Sequence, residues 1–198
     1  MLPVFVVTDP DAKREIKGLP NVHQYGVNEL IKFLRPLVEI GLRSVLVFPV
    51  LDEPDKGLAD SKYAKKQHNP AISAIEQLKL HFPGLLLAVD VCLCIFSESG
   101  HCCEYTEAGQ IDNERTIRLL VDLARVYVSA GVDILAPSTK NDAYVSHLKQ
   151  YLIKEKLEHI PILAYGAKFA SCLYGPFRNA AVRQRFSSAQ TKFARLDG

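Results

Sequence analysis

Short apolar runs alternate with amphipathic helical patterns five times along this 198-residue chain. An apolar strand followed by a helix is the repeating unit of parallel α/β proteins, so the alternation predicts a parallel sheet with right-handed crossovers. The third run is almost continuously apolar, which is typical of a strand buried on both faces. The predicted strands cover residues 4–7, 44–50, 85–93, 133–137 and 160–164.

The first two predicted helices are identified by their apolar spacing and by the residues at their ends. The first covers residues 25–40, and Pro36 inside it is expected to kink or weaken it. Asn69 and Pro70 open the second as N-cap and first helical residue. Between the second strand and this helix, residues 51–68 are polar and turn-rich, and we interpret them as a long loop over a mouth or an edge of the sheet.

Two further helices are each preceded by an aspartate. Asp112 and Asp142 are predicted to cap them, and a weaker helical stretch runs from 176 towards 190. The positions expected to face inward on the two capped helices are Ile117, Leu120, Ala124, Val128, Val145, Leu148 and Leu152.

An open doubly wound sheet and a (β/α)8 barrel of the TIM type both fit this rhythm. No Gly-x-Gly-x-x-Gly sequence follows any predicted strand, so a dinucleotide-binding version of the open sheet has no support. A complete barrel usually needs about 250 residues, and five units would be about five-eighths of one. The sequence pattern alone leaves the two architectures open.

Composition excludes several functional classes. Lys and Arg number 24 against 22 Asp and Glu with interspersed signs, which gives no electrostatic reason to expect a nucleic-acid or anionic-lipid partner. No run approaches the roughly 18–20 apolar residues of a membrane span. The N-terminal apolar segment follows no basic region and is interpreted as a strand, so the cytosol is the expected location.

Four of the five cysteines cluster at the end of the third predicted strand and in the loop after it. Cys92, Cys94, Cys102 and Cys103 form a poor disulfide framework but a plausible metal or thiol site in a reducing compartment. Three thiolates would bind zinc and leave a fourth position open, and His101 could be an extra ligand or a supporting donor. On spacing alone, packing of Cys92 and Cys94 as small apolar side chains remains an alternative. The fifth cysteine, Cys172, is interpreted as a buried thiol.

Lys168 follows the fifth predicted strand in an apolar setting. Desolvation disfavours the ammonium form, so a lysine there could act as a neutral amine that attacks a carbonyl. The alternative is a lysine that extends its head to solvent. Arg178 could clamp a carboxylate with its planar guanidinium, or could be a surface arginine.

Taken together, these segments closely resemble delta-aminolevulinic acid dehydratase (porphobilinogen synthase) of the zinc-dependent animal type. The resemblance extends almost from end to end and in order. Its most specific motifs are Asp90-Val91-Cys92-Leu93-Cys94, Gly100-His101-Cys102 and Ala167-Lys168-Phe169-Ala170-Ser171-Cys172 with Tyr174-Gly175-Pro176-Phe177-Arg178. It implies a (β/α)8 barrel, of which residues 1–198 would be a single incomplete aldolase-type domain with about the first five βα units.

The resemblance also implies a reaction and a set of site residues. Family members join two molecules of 5-aminolevulinate, with loss of two waters, to form porphobilinogen for haem biosynthesis, and they are commonly homo-octamers. Zinc would be the cofactor. The implied roles are Schiff-base formation for Lys168, zinc binding for Cys92, Cys94 and Cys102, a substrate-carboxylate grip for Arg178, and positions lining the site for Asp90, Ser138 and Tyr165.

Three departures from the family pattern qualify the functional prediction. The family's second Schiff-base lysine lies on the strand after the one carrying Lys168, and this chain stops before that strand and lacks the family's N-terminal arm. In the run at 139–144, only Asp142 of the usual Asp-Met-Met-Asp-Gly-Arg is retained. We therefore expect little or no turnover from the chain in isolation. The alternatives are an inactive truncated paralogue that binds zinc or docks with a full-length relative, and a gene product that continues past Gly198.

Overall fold

A computed structural model describes residues 1–52, 62–97, 100–167 and 180 of the chain. These residues form eight strands, four α-helices and a short 3-10 helix at Lys62–Ala64. In chain order the strands and helices are β1 (Leu2–Val6), β2 (Lys13–Glu15), β3 (His23–Tyr25), α1 (Val27–Glu39), β4 (Ser44–Pro49), α2 (Pro70–His81), β5 (Leu86–Val91), β6 (Glu104–Tyr105), β7 (Ile111–Asp112), α3 (Asn113–Ser129), β8 (Ile134–Pro137) and α4 (Tyr144–Lys154).

Six strands form the main sheet, in the order β2-β3-β1-β4-β5-β8. All neighbouring pairs are parallel except β2 and β3. Beyond β8, Leu135 forms a parallel bridge with Ile162, and the Leu163 N–H donates to the Leu135 carbonyl at 2.8 Å. The fifth predicted strand therefore continues the sheet, and the predicted α/β fold with the start of a barrel is confirmed.

Both faces of this sheet are covered by apolar side chains. On the outer face, strand residues such as Val47 and Val89 pack against the helices, which contribute Leu34, Ile75 and Leu120. On the inner face, two smaller clusters form. One contains Phe5, Val7, Ala12, Ile16, Val50 and Ala180, and the other contains Leu46, Ala88 and Ala136. Alternating residues of one strand thus enter opposite layers, which explains why the central strands are apolar at nearly every position.

The first three helices agree with their predicted signals, with small shifts at the ends. α1 is continuous through Pro36, and Tyr25, predicted as its first residue, belongs to β3 instead. The Asn69 side chain accepts the Ala71 N–H at 3.1 Å and so caps α2. The Asp112 carboxylate accepts the Arg115 N–H at 2.9 Å, as predicted for the cap of α3.

The start of α4 differs from the prediction. The N-cap is Ala143, in a left-handed conformation with φ of 61°, and no side chain caps this end. Asp142 does not cap the helix because the positive φ of Ala143 turns the chain between Asp142 and the first helical turn. Val145 is exposed rather than inward, whereas Leu148 and Leu152 are buried as predicted.

Several elements carry no apolar pattern and were not predicted. The strands β2 and β3 extend the sheet at its first edge, and β6 and β7 form a separate antiparallel hairpin. The strand predicted over 85–93 ends earlier, at Val91. The weaker helix predicted from 176 towards 190 lies outside the described residues, apart from Ala180, which is helical and buried.

None of the described helices combines the length and the apolarity that crossing a membrane requires.

Candidate metal centre

The carboxyl ends of the central strands bring most of the predicted site residues to one edge of the sheet. Asp90 lies in β5 opposite Ala136 of β8, and Cys92 follows directly after β5. Ser138 follows β8, and the N–H of Tyr165 donates to the carbonyl of Pro137 at 3.3 Å. Parallel strands end at a common edge, so residues from distant parts of the chain meet there.

Three cysteine sulfurs lie together at this edge. The Sγ of Cys92 lies 3.1 Å from the Sγ of Cys94 and 3.2 Å from the Sγ of Cys102, and all three lie within 4.8 Å of one another. Cys92 and Cys94 are fully buried, and Cys102 is partly exposed. Cys94 lies in a turn after β5, in which the Phe96 and Ser97 N–H groups both donate to the Leu93 carbonyl.

The geometry of this group fits a tetrahedral thiophilic cation. With about 2.3 Å between zinc and each sulfur, a tetrahedral array holds the sulfurs about 3.8 Å apart. The sulfurs at 3.1 and 3.2 Å would therefore have to separate by roughly 0.6 Å. Three thiolates leave the fourth position for water or substrate, the arrangement that distinguishes catalytic from structural zinc sites. All three thiols are free of disulfides, as ligation requires.

The electrostatics of the three thiols favour a cation at their centre. Hydrogen bonds with Cys92 and Cys94 are the largest influence that raises the pKa of Cys102 well above its usual value, and burial raises it further. Three thiolates this close repel one another unless a positive charge lies between them. A divalent cation would supply that charge and displace the protons.

Two polar residues that were predicted to line the site are also buried. Asp90 is 4% exposed and Ser138 is 6% exposed. Tyr165 is partly buried and packs against Ala88 and Ala136 on the inner face. Burial raises the pKa of the Tyr165 hydroxyl, and the negative charge of Asp90 raises it further. Tyr165 and Asp90 therefore face the same region of the inner edge, with Tyr165 as a neutral hydrogen-bonding group.

A buried tyrosine on α3 borders the same centre. Tyr127 is fully buried, and the Asn69 amide donates to its hydroxyl at 3.4 Å. Burial raises the pKa of Tyr127 strongly, the hydrogen bond from Asn69 opposes this, and the charges of Asp90, Cys92 and Cys94 add to the increase. Tyr127 thus stays protonated beside the thiols.

The predictions from sequence missed Tyr127 and also Thr116, a fully buried threonine that contacts the hairpin β6–β7. Tyr127 lies seven residues after Leu120 and so on the same face of α3, a spacing that could have predicted its burial. No comparable signal exists for Thr116, because its partners are backbone groups of a hairpin without apolar alternation.

His101 and Cys103 flank Cys102 but are not part of the sulfur group. Among the described residues, the donor atoms close enough to share one ion belong to the three cysteines alone. His101 is buried, and its ring meets the Tyr105 ring edge-on, with the centroids 5.7 Å apart. Of the two predicted roles for His101, a fourth ligand is therefore not supported by the geometry. Lys168, Arg178 and Cys172 lie outside the described residues.

Comparison with known proteins identifies the family that the chain resembles. Residues 1–194 match the family model for delta-aminolevulinic acid dehydratase. The delta-aminolevulinic acid dehydratase of Bos taurus is 43% identical over 180 residues, which are 90% of this chain and 54% of that protein, and the Bacillus subtilis protein is 36% identical over 179 residues. This chain thus spans about half the length of the curated relatives that it matches.

A solved structure is also similar to the fold. It is delta-aminolevulinic acid dehydratase (porphobilinogen synthase) from Toxoplasma gondii in complex with the reaction product porphobilinogen. The two structures superpose with a TM-score of 0.87 at 30% sequence identity, over 94% of this chain and 53% of that one.

Proposed function

The chain belongs to the delta-aminolevulinic acid dehydratase family, and from this premise we propose that its residues serve porphobilinogen synthase chemistry, with little or no turnover by residues 1–198 alone. In that reaction two molecules of 5-aminolevulinate condense, with loss of two waters, to give porphobilinogen. The observation that carries the proposal is the convergence of Cys92, Cys94 and Cys102 at the carboxyl edge of the sheet, next to Asp90.

The three cysteines would hold zinc, and the family's metal dependence supports this assignment. When bound, zinc would supply a Lewis acid that polarises a substrate carbonyl. Asp90 and Ser138 lie at the same edge as acceptors and donors for a bound substrate, and Tyr165 contributes a protonated hydroxyl. Their burial reduces competition from water for the hydrogen bonds that orient the substrate.

Lys168 is proposed as the nucleophile. Its neutral amine would attack the keto carbon of 5-aminolevulinate, and loss of one water would leave an imine between the Nζ and that carbon. The nearest described residues, from Tyr165 to Ala167, follow the strand that pairs with β8 at the edge carrying the sulfurs. Arg178 is proposed to bind a substrate carboxylate through a bidentate contact.

Reductive trapping tests the role of Lys168 without requiring complete turnover. The chain is incubated with 5-aminolevulinate and borohydride, which reduces an imine to a stable secondary amine, and the product is analysed by mass spectrometry. We expect one adduct per chain that maps to Lys168 and is absent in Lys168→Ala. The matched control is Lys149→Ala, an exposed lysine of α4 that should leave the adduct unchanged. An adduct that persists in Lys168→Ala would contradict the proposal.

Zinc binding tests the metal centre separately. We expect one zinc per chain and a loss of affinity of at least about 100-fold in Cys92→Ser, Cys94→Ser and Cys102→Ser, because each replaces a thiolate ligand. Cys103→Ser is the control, since its thiol is outside the sulfur group. Equal affinity in all four variants would refute the assignment. Zinc binding without a trapped adduct would instead favour an inactive zinc-binding paralogue.

The remaining functional proposals concern the whole protein. We propose that residues 1–198 form one incomplete aldolase-type barrel domain, that the protein acts in the cytosol, and that it associates with copies of itself. The position of β2 at one end of the described sheet supports association, because backbone groups at a sheet edge form hydrogen bonds readily with another strand. Sedimentation of the purified chain measures this, and a monomer at micromolar concentration would contradict it.

A further inference from the structure

The three sulfurs of the metal centre are fixed to different degrees. Cys92 and Cys94 are buried and follow closely after β5, which lies between β4 and β8. Cys102 is partly exposed and comes eight residues after Cys94 in the chain. Its position therefore depends on the element that follows it, which is the hairpin β6–β7.

This hairpin is too short to be stable alone. Only two residue pairs form it, Glu104 with Asp112 and Tyr105 with Ile111. Its turn is closed by Thr106, whose carbonyl accepts the Gly109 N–H at 2.8 Å and whose hydroxyl accepts the Gln110 N–H at 3.2 Å. Isolated two-stranded hairpins are marginally stable in water, so this one needs an external anchor.

Thr116 on the first turn of α3 provides that anchor. Its side chain is fully buried, and its hydroxyl accepts the Glu104 N–H at 2.9 Å and donates to the Asp112 carbonyl at 2.6 Å. Glu104 and Asp112 face each other across the hairpin, so one hydroxyl joins both strands at their open end. The neighbouring residue Ile117 packs in the main core, which ties this end of the hairpin to the helix layer.

We propose that Thr116 is a positioning residue for the metal centre, which holds the Cys102 sulfur within reach of Cys92 and Cys94. The inference depends on the zinc site proposed above. Glu104 comes two residues after Cys102, so a shift of the Glu104 backbone moves the third sulfur almost directly. Arg115 also forms an ion pair with Glu104 at 3.4 Å, and solvent screens this pair because half of the Arg115 side chain is exposed.

Substitution of the hydroxyl tests the proposal through metal binding. Thr116→Val keeps the shape of the side chain and removes both hydrogen bonds, whereas Thr116→Ser keeps the hydroxyl that forms them. Thr106→Val is the matched control, because it removes a hydroxyl from the turn of the same hairpin. The readouts are the zinc dissociation constant, from competition with a chelator, and the sulfur-to-metal charge-transfer band of the cobalt(II) form. We expect a 10- to 100-fold weaker zinc affinity for Thr116→Val, with the band reduced by about a third as one of three thiolates is lost.

Thr116→Ser and Thr106→Val should resemble the wild type in both measurements. In a Cys102→Ser background, Thr116→Val should cause no further loss of affinity, because its effect is transmitted through Cys102. A purely structural role would weaken binding in that background as well.

The other possible results each overturn either the positioning role of Thr116 or the zinc site itself. Wild-type affinity and an undiminished band in Thr116→Val would overturn the positioning role while leaving the metal centre intact. A wild-type chain that binds no zinc would instead overturn the proposed zinc site. If Thr116→Val does not fold, Thr116→Ala is measured in its place. Failure of both to fold in the metal-free form would show that Thr116 stabilises the fold rather than the centre, which also overturns the proposal.

Discussion

At the scale of single residues, Gly26 is constrained by space rather than by its backbone angles. It is the N-cap of α1 with φ of −70° and ψ of 161°, a conformation open to any residue. A Cβ atom there would lie 2.1 Å from the Asp9 carbonyl oxygen and 2.4 Å from the Pro10 carbonyl oxygen. The same turn is held by the Gly26 N–H, which donates to the Ala12 carbonyl at 2.7 Å. The turn after β1 therefore packs directly on the helix start.

We predict that Gly26→Ala lowers the free energy of unfolding by about 2 kcal/mol, because backbone atoms must move to admit the methyl group. Gly84→Ala is the control, since a Cβ atom there meets nothing within 4 Å. The measurement is the midpoint of urea unfolding at constant slope. Similar losses in both variants would mean that the close approach at Gly26 is not what limits the substitution.

Asn69 is fully buried, and its side chain forms hydrogen bonds with three separate groups. Besides capping α2 through the Ala71 N–H, its amide donates to the Tyr63 carbonyl at 2.7 Å and to the Tyr127 hydroxyl at 3.4 Å. Asn69→Ala should cost about 2–4 kcal/mol, since it removes the cap and leaves buried groups unpaired. Asn69→Ser keeps a capping oxygen and should cost about half as much. Equal losses of stability for Asn69→Ala and Asn69→Ser in thermal unfolding would show that the capping oxygen contributes little.

At the scale of elements, Asp133 connects α2, β5 and β8. Its carboxylate accepts two contacts from the Lys79 ammonium at 2.6 Å and the Leu87 N–H at 2.7 Å. Both charged side chains are partly buried, so solvent screens the pair less than a surface pair. Because Asp133 immediately precedes β8, these contacts fix where that strand begins beside β5.

We expect Asp133→Ala to lower the free energy of unfolding by about 2 kcal/mol, through loss of charge-assisted hydrogen bonds and an unpaired Leu87 N–H. Glu114→Ala removes the exposed ion pair with Arg118 within α3 and should cost less than about 0.5 kcal/mol. Urea unfolding of the two variants gives the comparison. If Asp133→Ala lowers the free energy of unfolding no more than Glu114→Ala does, the contacts of Asp133 with Lys79 and Leu87 contribute little to stability.

The sequence predicts well the elements that have an apolar pattern caused by burial or a capping side chain of their own. The run from Leu85 onward is apolar because β5 lies between two apolar layers, and the caps at Asn69 and Asp112 act through their own side chains. The hairpin β6–β7 was missed because its strands form through contacts with Thr116 rather than through alternation. The cap at Asp142 was predicted wrongly because the left-handed Ala143 is set by the tertiary path of the chain.

The same distinction applies to the candidate site. Spacing identified the cysteines, but it left metal binding and core packing open, and the distances between the sulfurs and their electrostatics favour the metal. The resemblance to a known family implied roles for Asp90, Ser138 and Tyr165, and the structure brings these three residues to one edge of the sheet. Tyr127 and Thr116 support the site from outside the motifs, where the sequence gives no direct chemical signal.

At the scale of the whole molecule, zinc should stabilise the fold. A ligand that binds only the folded state adds about 2.7 kcal/mol at a free concentration of 100 times its dissociation constant. Treatment of the zinc-bound chain with a chelator should therefore lower the melting temperature, and Cys102→Ser should show no change on zinc addition or removal. Differential scanning calorimetry records both. An unchanged melting temperature in the wild type would indicate that the sulfurs do not couple metal binding to folding.

The contact between Gln24 and Ala180 joins residues that are 156 positions apart, through an amide–carbonyl hydrogen bond of 2.7 Å. Ala180 also belongs to the inner-face cluster that contains Phe5 of β1 and Val7 just after it. During translation, a nascent polypeptide that ended after α4 would contain every strand and helix assigned above, yet it would still lack the partner of Gln24 in β3. Completion of the inner apolar layer must therefore wait for synthesis of the segment that carries Ala180, and until then these aromatic and branched side chains lack that cover.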